Sequence, residues 1–426
     1  MSKDELERPR VTRAMIGLAS EATAALLGLA GPADETLSRY FRAHRSLGRR
    51  ERAFVAEAAY AVLRRRRSLE AAARSSEPRA LVLCALVRIL GYSARSLDSA
   101  IAREELAFVA QLRSVSLDNL SPAVRADLPD WLWERLVAEQ GEEEAARIAA
   151  GLLQPAPLDL RVNIARTTRE EALQRLRDDG LQVVPTPHSP AGLRLPGKPA
   201  INRHPLFVDG LIEVQDEGSQ LLAWLVAPRR GEMIADYCAG AGGKTLALAM
   251  LMRASGRVYA MDVSAKRLSA LSPRAARARV TSIHPLVLSG ENDTRAKRLA
   301  GKLDRVLVDA PCSGFGTLRR NPDLKWRHGP DAVRELAAKQ QAILRAASRL
   351  VKRGGRLVYA TCSILREENE AVVDAFVAAH PQFAPESCGD LLSAQKIAME
   401  AGERLRLWPH VHGTDGFFAA AFRRET

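Results

Sequence analysis

The sequence contains few cysteines, and none of them has the spacing of a metal-binding pair. The 426 residues include five cysteines, at positions 84, 238, 312, 362 and 388, with no Cys-x-x-Cys among them. This spacing is not typical of a zinc site or of a disulfide framework. We therefore expect reduced thiols, a cytoplasmic location and no metal.

Long apolar runs are also missing. The longest ones, such as residues 81–87, end at an arginine, well short of the roughly 20 residues that span a membrane. The first residues include acidic side chains where a secretory signal would be apolar. The sequence therefore predicts a soluble protein without a membrane segment.

Lysine is scarce in the first half of the chain, where arginine supplies every Lys/Arg charge between Lys3 and Lys198. The whole chain has 63 Lys and Arg against 50 Asp and Glu, a formal net charge of +13. This excess favours a polyanionic partner, either nucleic acid or an acidic membrane surface. Because alanine is abundant too, compositional bias explains part of the arginine content, and charge alone does not identify the partner.

The length exceeds that of one ordinary domain, and the periodicity changes twice along the chain. Residues 1–145 have helical spacing of apolar positions, for example Phe54, Ala58 and Val62, and predict an all-helical domain. Its basic run 64–67 either meets phosphates or forms the solvated end of a helix. Residues 146–213 predict a small α+β module, with strands over 158–162 and 181–184 and a capping box from Thr168 to Glu171.

From residue 214 to residue 426, apolar runs alternate with helical segments. We predict strands over 233–238, 257–262, 283–288, 304–309 and 356–361, and helices over 244–252, 265–279 and 332–351. Such alternation produces a parallel sheet covered on both faces. The tail, 404–408 and 417–422, predicts an antiparallel hairpin. The fold class is α/β.

A glycine-rich loop follows the first of these strands. Residues 236–245 read Asp-Tyr-Cys-Ala-Gly-Ala-Gly-Gly-Lys-Thr, and glycines let backbone amides approach a ligand at a helix N-terminus. A triphosphate-binding loop would require glycine where Cys238 stands, which disfavours a nucleotide triphosphatase. Asp262 ends the second strand, where a carboxylate accepts ribose hydroxyls or caps the next helix. Asp293, after the third strand, either meets an adenine edge or is merely solvated.

Two cysteines follow two later strands. Residues 309–314 read Asp-Ala-Pro-Cys-Ser-Gly and residues 361–363 read Thr-Cys-Ser, which places Cys312 and Cys362 at corresponding points. A thiolate adds to an electron-poor ring carbon, and a second thiol can help to remove a proton afterwards. Methylation of carbon 5 of a pyrimidine requires both steps. The alternative is a pair of buried structural cysteines.

With these segments and those at 214–220, 321–326, 359–363 and 415–418, residues 210–426 resemble the S-adenosylmethionine-dependent RNA cytosine carbon-5 methyltransferases of the Sun (Fmu) type. Residues 49–66 and their position resemble the NusB-like RNA-binding domain of the bacterial 16S ribosomal RNA enzymes of this family. The resemblance implies a Rossmann-like, mostly parallel seven-stranded sheet and S-adenosyl-L-methionine as cofactor. The cofactor-binding residues that it implies are Cys238, Ala239, Gly240, Ala241, Gly242, Gly243, Lys244, Asp262, Arg267, Asp293 and Asp309. The loop departs from the family pattern at Gly240-Ala241, where Ala-Pro is usual.

The same resemblance implies the catalytic roles. Cys362 attacks carbon 6 of the cytosine, Asp309 holds or protonates the base, and Cys312 assists loss of the carbon-5 proton and release of the enzyme. Lys244 positions Asp309 or the base. Because DNA cytosine methyltransferases attack with the Pro-Cys cysteine, reversed roles for Cys312 and Cys362 remain an alternative.

The expected partner is 16S ribosomal RNA, and the chain is expected to be a monomer with no membrane contact. A transfer RNA cytosine, or a non-catalytic role in ribosome assembly, remains an alternative. The loop 317–327 interleaves basic and aromatic residues, including Arg319, Arg320, Lys325 and Trp326. We expect it to contact an unpaired cytosine; the alternative is that Trp326 packs inside.

Overall fold

The computed structural model describes residues 10–197 and 199–425, which divide into two compact units. The first comprises the described residues up to Gln154 together with residues 318–330, and the second comprises residues 155–317 and the rest. Within the described ranges, every helix is too short or too polar to cross a membrane.

The first unit is helical, as the spacing of its apolar residues predicts. Thr12 begins the first helix by accepting a hydrogen bond from the Met15 amide, and fully buried Ile16, Val55 and Leu86 lie in the common core. The helices of this unit are Arg13–Leu27, Ala33–Ala43, Arg49–Arg64, Arg66–Ala73, Pro78–Arg88, Ala94–Leu97, Arg103–Gln111, Pro122–Arg125, Asp130–Gln140, Glu142–Leu153 and Leu324–Arg327, with a 3-10 turn at Asp98–Ala100.

The second unit begins with a small antiparallel sheet of order β2-β3-β1-β4. The strands are β1 (Leu158–Val162), β2 (Val184–Pro185), β3 (Gly192–Leu195) and β4 (Ile212–Val214). The helices are Arg169–Asp178, a 3-10 turn Ile201–Arg203, and Pro205–Val208. The predicted β1 and the capping box are confirmed, since the side chains of Thr168 and Glu171 each accept the other's amide.

The strand predicted over 181–184 is wrong for residues 181–183. The carbonyl of Val183 accepts hydrogen bonds from the Arg177 guanidinium instead of from a neighbouring strand, and Pro185 has no amide hydrogen to offer. Pairing is therefore limited to β2, which has two residues.

A larger sheet forms the rest of the second unit. Its strands are β5 (Met233–Asp236), β6 (Arg257–Asp262), β7 (Ile283–Val287), β8 (Leu303–Asp309), β9 (Val351–Thr361), β10 (Phe383–Glu386), β11 (Leu405–Leu407) and β12 (Phe417–Arg424). Its helices are Glu217–Val226, Gly243–Leu251, Ala265–Ser269, Leu271–Ala278, Thr294–Lys297, Pro330–Ser348, Glu370–Ala379, Cys388–Ala394 and Pro409–His412, with 3-10 turns at Phe315–Thr317 and Arg366–Glu368.

The sheet confirms the expected fold class. Along the path β10-β12-β9-β8-β5-β6-β7, the strands from β9 to β7 are parallel, whereas β12 is antiparallel to both neighbours. β11 pairs with β12 as the predicted antiparallel hairpin and is an eighth strand. Val306, Leu307 and Val358 are fully buried, as expected for parallel strands covered on both faces.

Several predicted limits differ from those in the structure. The helix expected over 265–279 breaks at Ala270, because Pro273 cannot donate the amide hydrogen bond that would continue the first segment. β9 begins at Val351, where it pairs with Leu303, and not at residue 356. The expected domain limits at 145/146 and 213/214 fall inside the helix Glu142–Leu153 and inside β4. The three-domain division stays a prediction.

Candidate active site

The carboxyl ends of the parallel strands bring the predicted site residues to one edge of the sheet. Asp262 ends β6, Asp309 ends β8, and the two cysteines follow β8 and β9, which are neighbours. Cys312 Sγ and Cys362 Sγ lie 3.4 Å apart, and both residues are partly exposed. The hydrogen bond to Cys362, together with desolvation, raises the pKa of Cys312 well above its ordinary value. Cys312 therefore keeps its proton at neutral pH.

The backbone of two glycines, Gly316 and Gly416, holds the loop that carries Cys362. The Gly316 amide donates to the Cys362 carbonyl at 2.9 Å, and the Gly416 amide donates to the Gly316 carbonyl at 2.8 Å. A Cβ on Gly316 would lie 2.1 Å from the Gly416 oxygen and 2.8 Å from the Cys362 oxygen. Only glycine therefore fits between these two backbone segments.

Lys244 and Asp309 form an ion pair beside the cysteines. Lys244 Nζ donates to Asp309 Oδ2 at 2.7 Å, and the lysine side chain is 12% exposed. Burial alone would lower the pKa of Lys244, but the attraction of Asp309 and of the Cys362 sulfur outweighs it and raises that pKa. A charged Lys244 therefore fixes the carboxylate at the end of β8.

The glycine-rich loop joins β5 to the helix Gly243–Leu251 through backbone that turns tightly. Gly240 and Gly242 have φ of +56° and +83°, and a Cβ on them would lie 2.4 Å from Arg267 Nη2 and 2.2 Å from Leu271 Cδ1. Asp236 accepts a hydrogen bond from Thr245 Oγ1 at 2.7 Å, which ties the start of the helix to the end of β5.

Asp262 is buried and fixes the loop by its carboxylate. One oxygen accepts from the Gly240 amide at 2.8 Å and the other from the Ser264 amide at 2.7 Å, while Arg267 approaches to 4.0 Å. Ser264, and not Asp262, caps the next helix by accepting from the Arg267 amide. The flanking Ala239 amide donates to the Met261 carbonyl, so the loop stays in register with β6.

One cavity of about 440 Å³ connects the end of β6 with the sulfur pair. This volume is typical of small-molecule sites. Burial, together with the nearby carboxylates of Asp236 and Asp309, raises the pKa of Cys238 well above its ordinary value, so that side chain is a neutral thiol. The predicted residues that line the cavity are Cys238, Asp262, Arg267, Asp309, Cys312 and Cys362.

The carboxylate of Asp293 is hydrogen-bonded to neighbouring residues of its own segment. It accepts hydrogen bonds from Ser289 and Arg295, and the Arg295 guanidinium holds the pKa of its carboxyl below the usual range. Gly290 and Glu291 of the same segment line the cavity instead. Sequence reasoning missed Glu291, although the polar run that it belongs to pointed to this stretch of chain.

Arg161 is a second residue that sequence reasoning missed. This buried side chain on β1 donates to the Gly243 carbonyl at 2.8 Å and to the Gln215 side-chain oxygen. Burial lowers its pKa to about 10, which still leaves it charged at neutral pH. Gly243 is the first residue of the helix that carries Lys244. The hydrogen bond from Arg161 therefore stabilises the end of the glycine-rich loop. Ala241, in the same loop, is held through its carbonyl by Arg274.

Residues 318–330, which include most of the basic and aromatic loop, belong to the first unit. Several of their side chains form hydrogen bonds within that unit. Lys325, which is 2% exposed, donates to the Arg64 carbonyl at 2.8 Å, and Trp326 Nε1 donates to the Leu63 carbonyl at 2.8 Å. Arg319 is buried as well, and its carbonyl accepts from Arg64. The alternative of a packed Trp326 is confirmed, and Lys325 packs with it, whereas contact of the loop with an unpaired cytosine stays a prediction.

Comparison with known proteins agrees with this geometry. Residues 223–423 match the family described as 16S rRNA methyltransferase RsmB/F, and residues 128–202 match the ferredoxin-like domain of the RsmF/B-like methyltransferases. The chain is 37% identical to a probable ribosomal RNA small subunit methyltransferase B of Synechocystis, over 72% of this chain and 69% of that protein.

Two solved structures share the fold. The crystal structure of PH0851 superposes with a TM-score of 0.76 and 26% identity, covering 98% of this chain and 100% of that one. A methyltransferase homologue from Pyrococcus horikoshii has a TM-score of 0.62 and 30% identity, covering 73% of this chain and 100% of that one. With the sequence identity to the Synechocystis protein, these likenesses show that the chain belongs to the 16S rRNA methyltransferase RsmB/F family.

Proposed function

We propose that the protein transfers a methyl group from S-adenosyl-L-methionine to carbon 5 of a cytosine in 16S ribosomal RNA, through a covalent bond between Cys362 and the base. One observation carries the proposal. Two cysteine sulfurs lie 3.4 Å apart at a cavity that also reaches a glycine-rich loop and the buried carboxylate of Asp262. Two such sulfurs at one site can supply both the thiolate that adds to a ring carbon and the group that removes the proton from its neighbour.

The residues present fit the methyl donor. A glycine-rich loop at a helix N-terminus, followed by a buried acid at the end of the next strand, suits an adenosine group, and the cavity of about 440 Å³ has room for one. Cys238, Asp262, Arg267 and Glu291, which line the cavity, would hold it, and Gly240 and Gly242 shape the loop behind them. When bound, S-adenosyl-L-methionine supplies an electrophilic methyl group on a sulfonium.

The direction of the Cys312 pKa supports Cys362 as the nucleophile. Because Cys312 keeps its proton, it can act as the donor in the contact between the two sulfurs, which leaves Cys362 as the acceptor. Cys362 then adds to carbon 6, which makes carbon 5 nucleophilic enough to take the methyl group. Asp309 holds the base by accepting a hydrogen bond from it, and the Lys244 ammonium beside Asp309 offsets the negative charge that the addition places on the ring.

The same sulfur contact explains how Cys312 changes role. Its hydrogen bond with Cys362 is the largest cause of its raised pKa, and that effect weakens once the Cys362 sulfur is bonded to carbon. Cys312 then gives its proton to solvent and removes the carbon-5 proton. The electrons of that C–H bond re-form the ring double bond, and Cys362 leaves as a thiolate.

Two cysteine variants test the proposal, with methyl transfer measured on 16S ribosomal RNA and the product located by bisulfite sequencing of ribosomal and transfer RNA. Cys362→Ala is expected to abolish transfer. Cys312→Ala is expected to accumulate a protein–RNA adduct that survives denaturing electrophoresis. Cys388→Ala, a buried free cysteine elsewhere in the same unit, is the matched control.

Each alternative has its own outcome. An adduct that persists in Cys362→Ala and is lost in Cys312→Ala would reverse the two roles. Methylation found only in transfer RNA would replace the substrate, and a wild-type protein that binds no S-adenosyl-L-methionine in calorimetry would indicate an assembly factor. The helical first unit is proposed to hold the RNA, as a NusB-like domain on a monomeric enzyme.

A further inference from the structure

We propose that Glu368 is a positioning residue whose carboxylate sets the separation of the two reactive sulfurs. The inference rests on the proposed function, because it assigns a role to the loops that carry Cys312 and Cys362. Glu368 lies in the turn Arg366–Glu368 after β9, and its side chain is fully buried.

Both cysteine loops are hydrogen-bonded to this one carboxylate. Ser313, the residue after Cys312, donates from its amide at 2.8 Å and from its hydroxyl at 2.5 Å. Ser363, the residue after Cys362, donates its hydroxyl to the same oxygen as the Ser313 hydroxyl does. The two residues next to the sulfurs are thus anchored to a single rigid group.

A third element fixes the carboxylate itself. Gln340, on the helix Pro330–Ser348, donates its side-chain amide to Glu368 at 3.0 Å and also to the Pro311 carbonyl at 2.9 Å. The Tyr359 hydroxyl donates to the Glu368 backbone carbonyl at 2.6 Å and links the turn to β9. The loop over residues 311–313 is therefore held from both ends.

These four donors to the carboxylate are neutral groups, and this makes the arrangement sensitive to movement. A carboxylate that is buried away from water is costly unless its oxygens accept hydrogen bonds, and each of these donors offsets part of that cost. If either loop moved away, Glu368 would lose part of this compensation in a site that water does not reach. The carboxylate thus opposes separation of the Ser313 and Ser363 segments, and so of the sulfurs beside them.

Glu368→Gln tests the role, because the amide keeps the size of the side chain and points hydrogens at the serine donors. We expect kcat to fall by about 100-fold, the effect of misplacing reacting groups by about 1 Å, with the KM for RNA unchanged. Glu232→Gln is the matched control. Glu232 pairs with Arg305 at the amino end of β5, so this variant is expected to lose stability and to keep kcat.

The reactivity of the Cys312 thiol is a second readout, which a merely structural role would not move. Alkylation by iodoacetamide, followed by mass spectrometry of the Cys312 peptide over a range of pH, gives the midpoint of its ionisation. The midpoint is expected to fall in Glu368→Gln and in Cys362→Ala, and to stay in place in Glu232→Gln. Ser363→Ala retains the charge of Glu368, so a lower midpoint in that variant reports the sulfur separation alone.

The outcomes are distinct. Wild-type kcat and a wild-type midpoint in Glu368→Gln would overturn the proposal, and if that variant fails to fold, the same two measurements on Ser313→Ala and Ser363→Ala decide it. Methyl transfer that survives Cys362→Ala would refute the covalent mechanism instead, while a shifted midpoint in Ser363→Ala would still support the positioning role.

Discussion

Gly316→Ala is the sharpest test of how the fold holds Cys362, the proposed nucleophile. Gly316 lies between two backbone segments, the Cys362 carbonyl that it hydrogen-bonds and the Gly416 turn near the C-terminus. A methyl group there would contact backbone oxygens on both sides, and these cannot rotate away as a flexible side chain would. The φ of Gly316 is not positive, so the substitution acts through space alone.

The size of the effect follows from the distances. The added Cβ would lie 2.1 Å from the Gly416 oxygen, whereas carbon–oxygen contacts settle near ~3.3 Å. The two segments must therefore separate by about 1 Å, which lowers kcat by about 100-fold. Overpacking of this kind costs about 1–3 kcal/mol of stability. The glycine-rich loop is not part of this contact, so affinity for S-adenosyl-L-methionine is expected to stay unchanged.

Single-turnover methyl transfer and calorimetric cofactor binding, measured on the same preparation, check both halves of this expectation. Gly402→Ala is the matched control, because Gly402 lies in the same unit with nothing within 4 Å of an added Cβ. A Gly316→Ala protein with the turnover of the control would refute the reasoning. Loss of cofactor binding along with turnover would show a general disruption rather than a local displacement of Cys362.

Three further predictions concern Gly242 and Arg161, which stabilise the glycine-rich loop, and the buried Lys325 of the first unit. Gly242→Ala is expected to weaken cofactor binding in calorimetry at least about fivefold, since an alanine at φ +83°, with its Cβ 2.2 Å from Leu271, costs about 1–3 kcal/mol; unchanged affinity would contradict this. Arg161→Met is expected to lower the free energy of unfolding in urea by about 2 kcal/mol, because the Gly243 carbonyl loses its buried donor; a neutral result would show that water replaces it. Burial lowers the pKa of Lys325 to about 7, against about 10.4 in the unfolded chain. Between these values the unfolded chain binds one more proton, so stability rises with pH by up to about 1.4 kcal/mol per unit and falls as the pH drops towards 7. Urea titrations at several pH values are expected to show a smaller rise in Lys325→Met, and equal slopes would contradict the buried, neutral lysine.

The sheet and the sulfur pair were predictable because their signals are local. Strands such as β8 are apolar throughout, as burial on both faces requires, and the carboxyl ends of parallel strands meet at one edge. Asp262, Asp309 and the residues after β8 and β9 were therefore expected together before any distance was known. The left-handed glycines of the glycine-rich loop likewise follow from sequence, since only glycine adopts that backbone at low cost.

The supports of the site could not be predicted, because their partners are distant in sequence. Arg161 reaches the Gly243 carbonyl, 82 residues away, and Glu368 reaches Ser313, 55 residues away. Nothing in the neighbourhood of either residue distinguishes it from an ordinary polar side chain. The packing of Lys325 could not be predicted for the same reason, since its acceptor is a backbone carbonyl 261 residues away. A basic residue next to a tryptophan has the same sequence pattern whether it meets RNA or a carbonyl.

The charges around the sulfur pair are unequal, and this inequality bears on which sulfur attacks. The Lys244 ammonium lies on the Cys362 side of the pair, and Asp309 and Cys362 both contribute to its raised pKa. The Glu368 carboxylate instead contributes to the raised pKa of Cys312, and so disfavours a thiolate there. A cation therefore lies near one thiol and a buried carboxylate near the other, so that two chemically identical thiols have different electrostatic surroundings. In the mechanism proposed above, this difference favours Cys362 as the attacking sulfur, and Glu368 contributes to it without contact with the base.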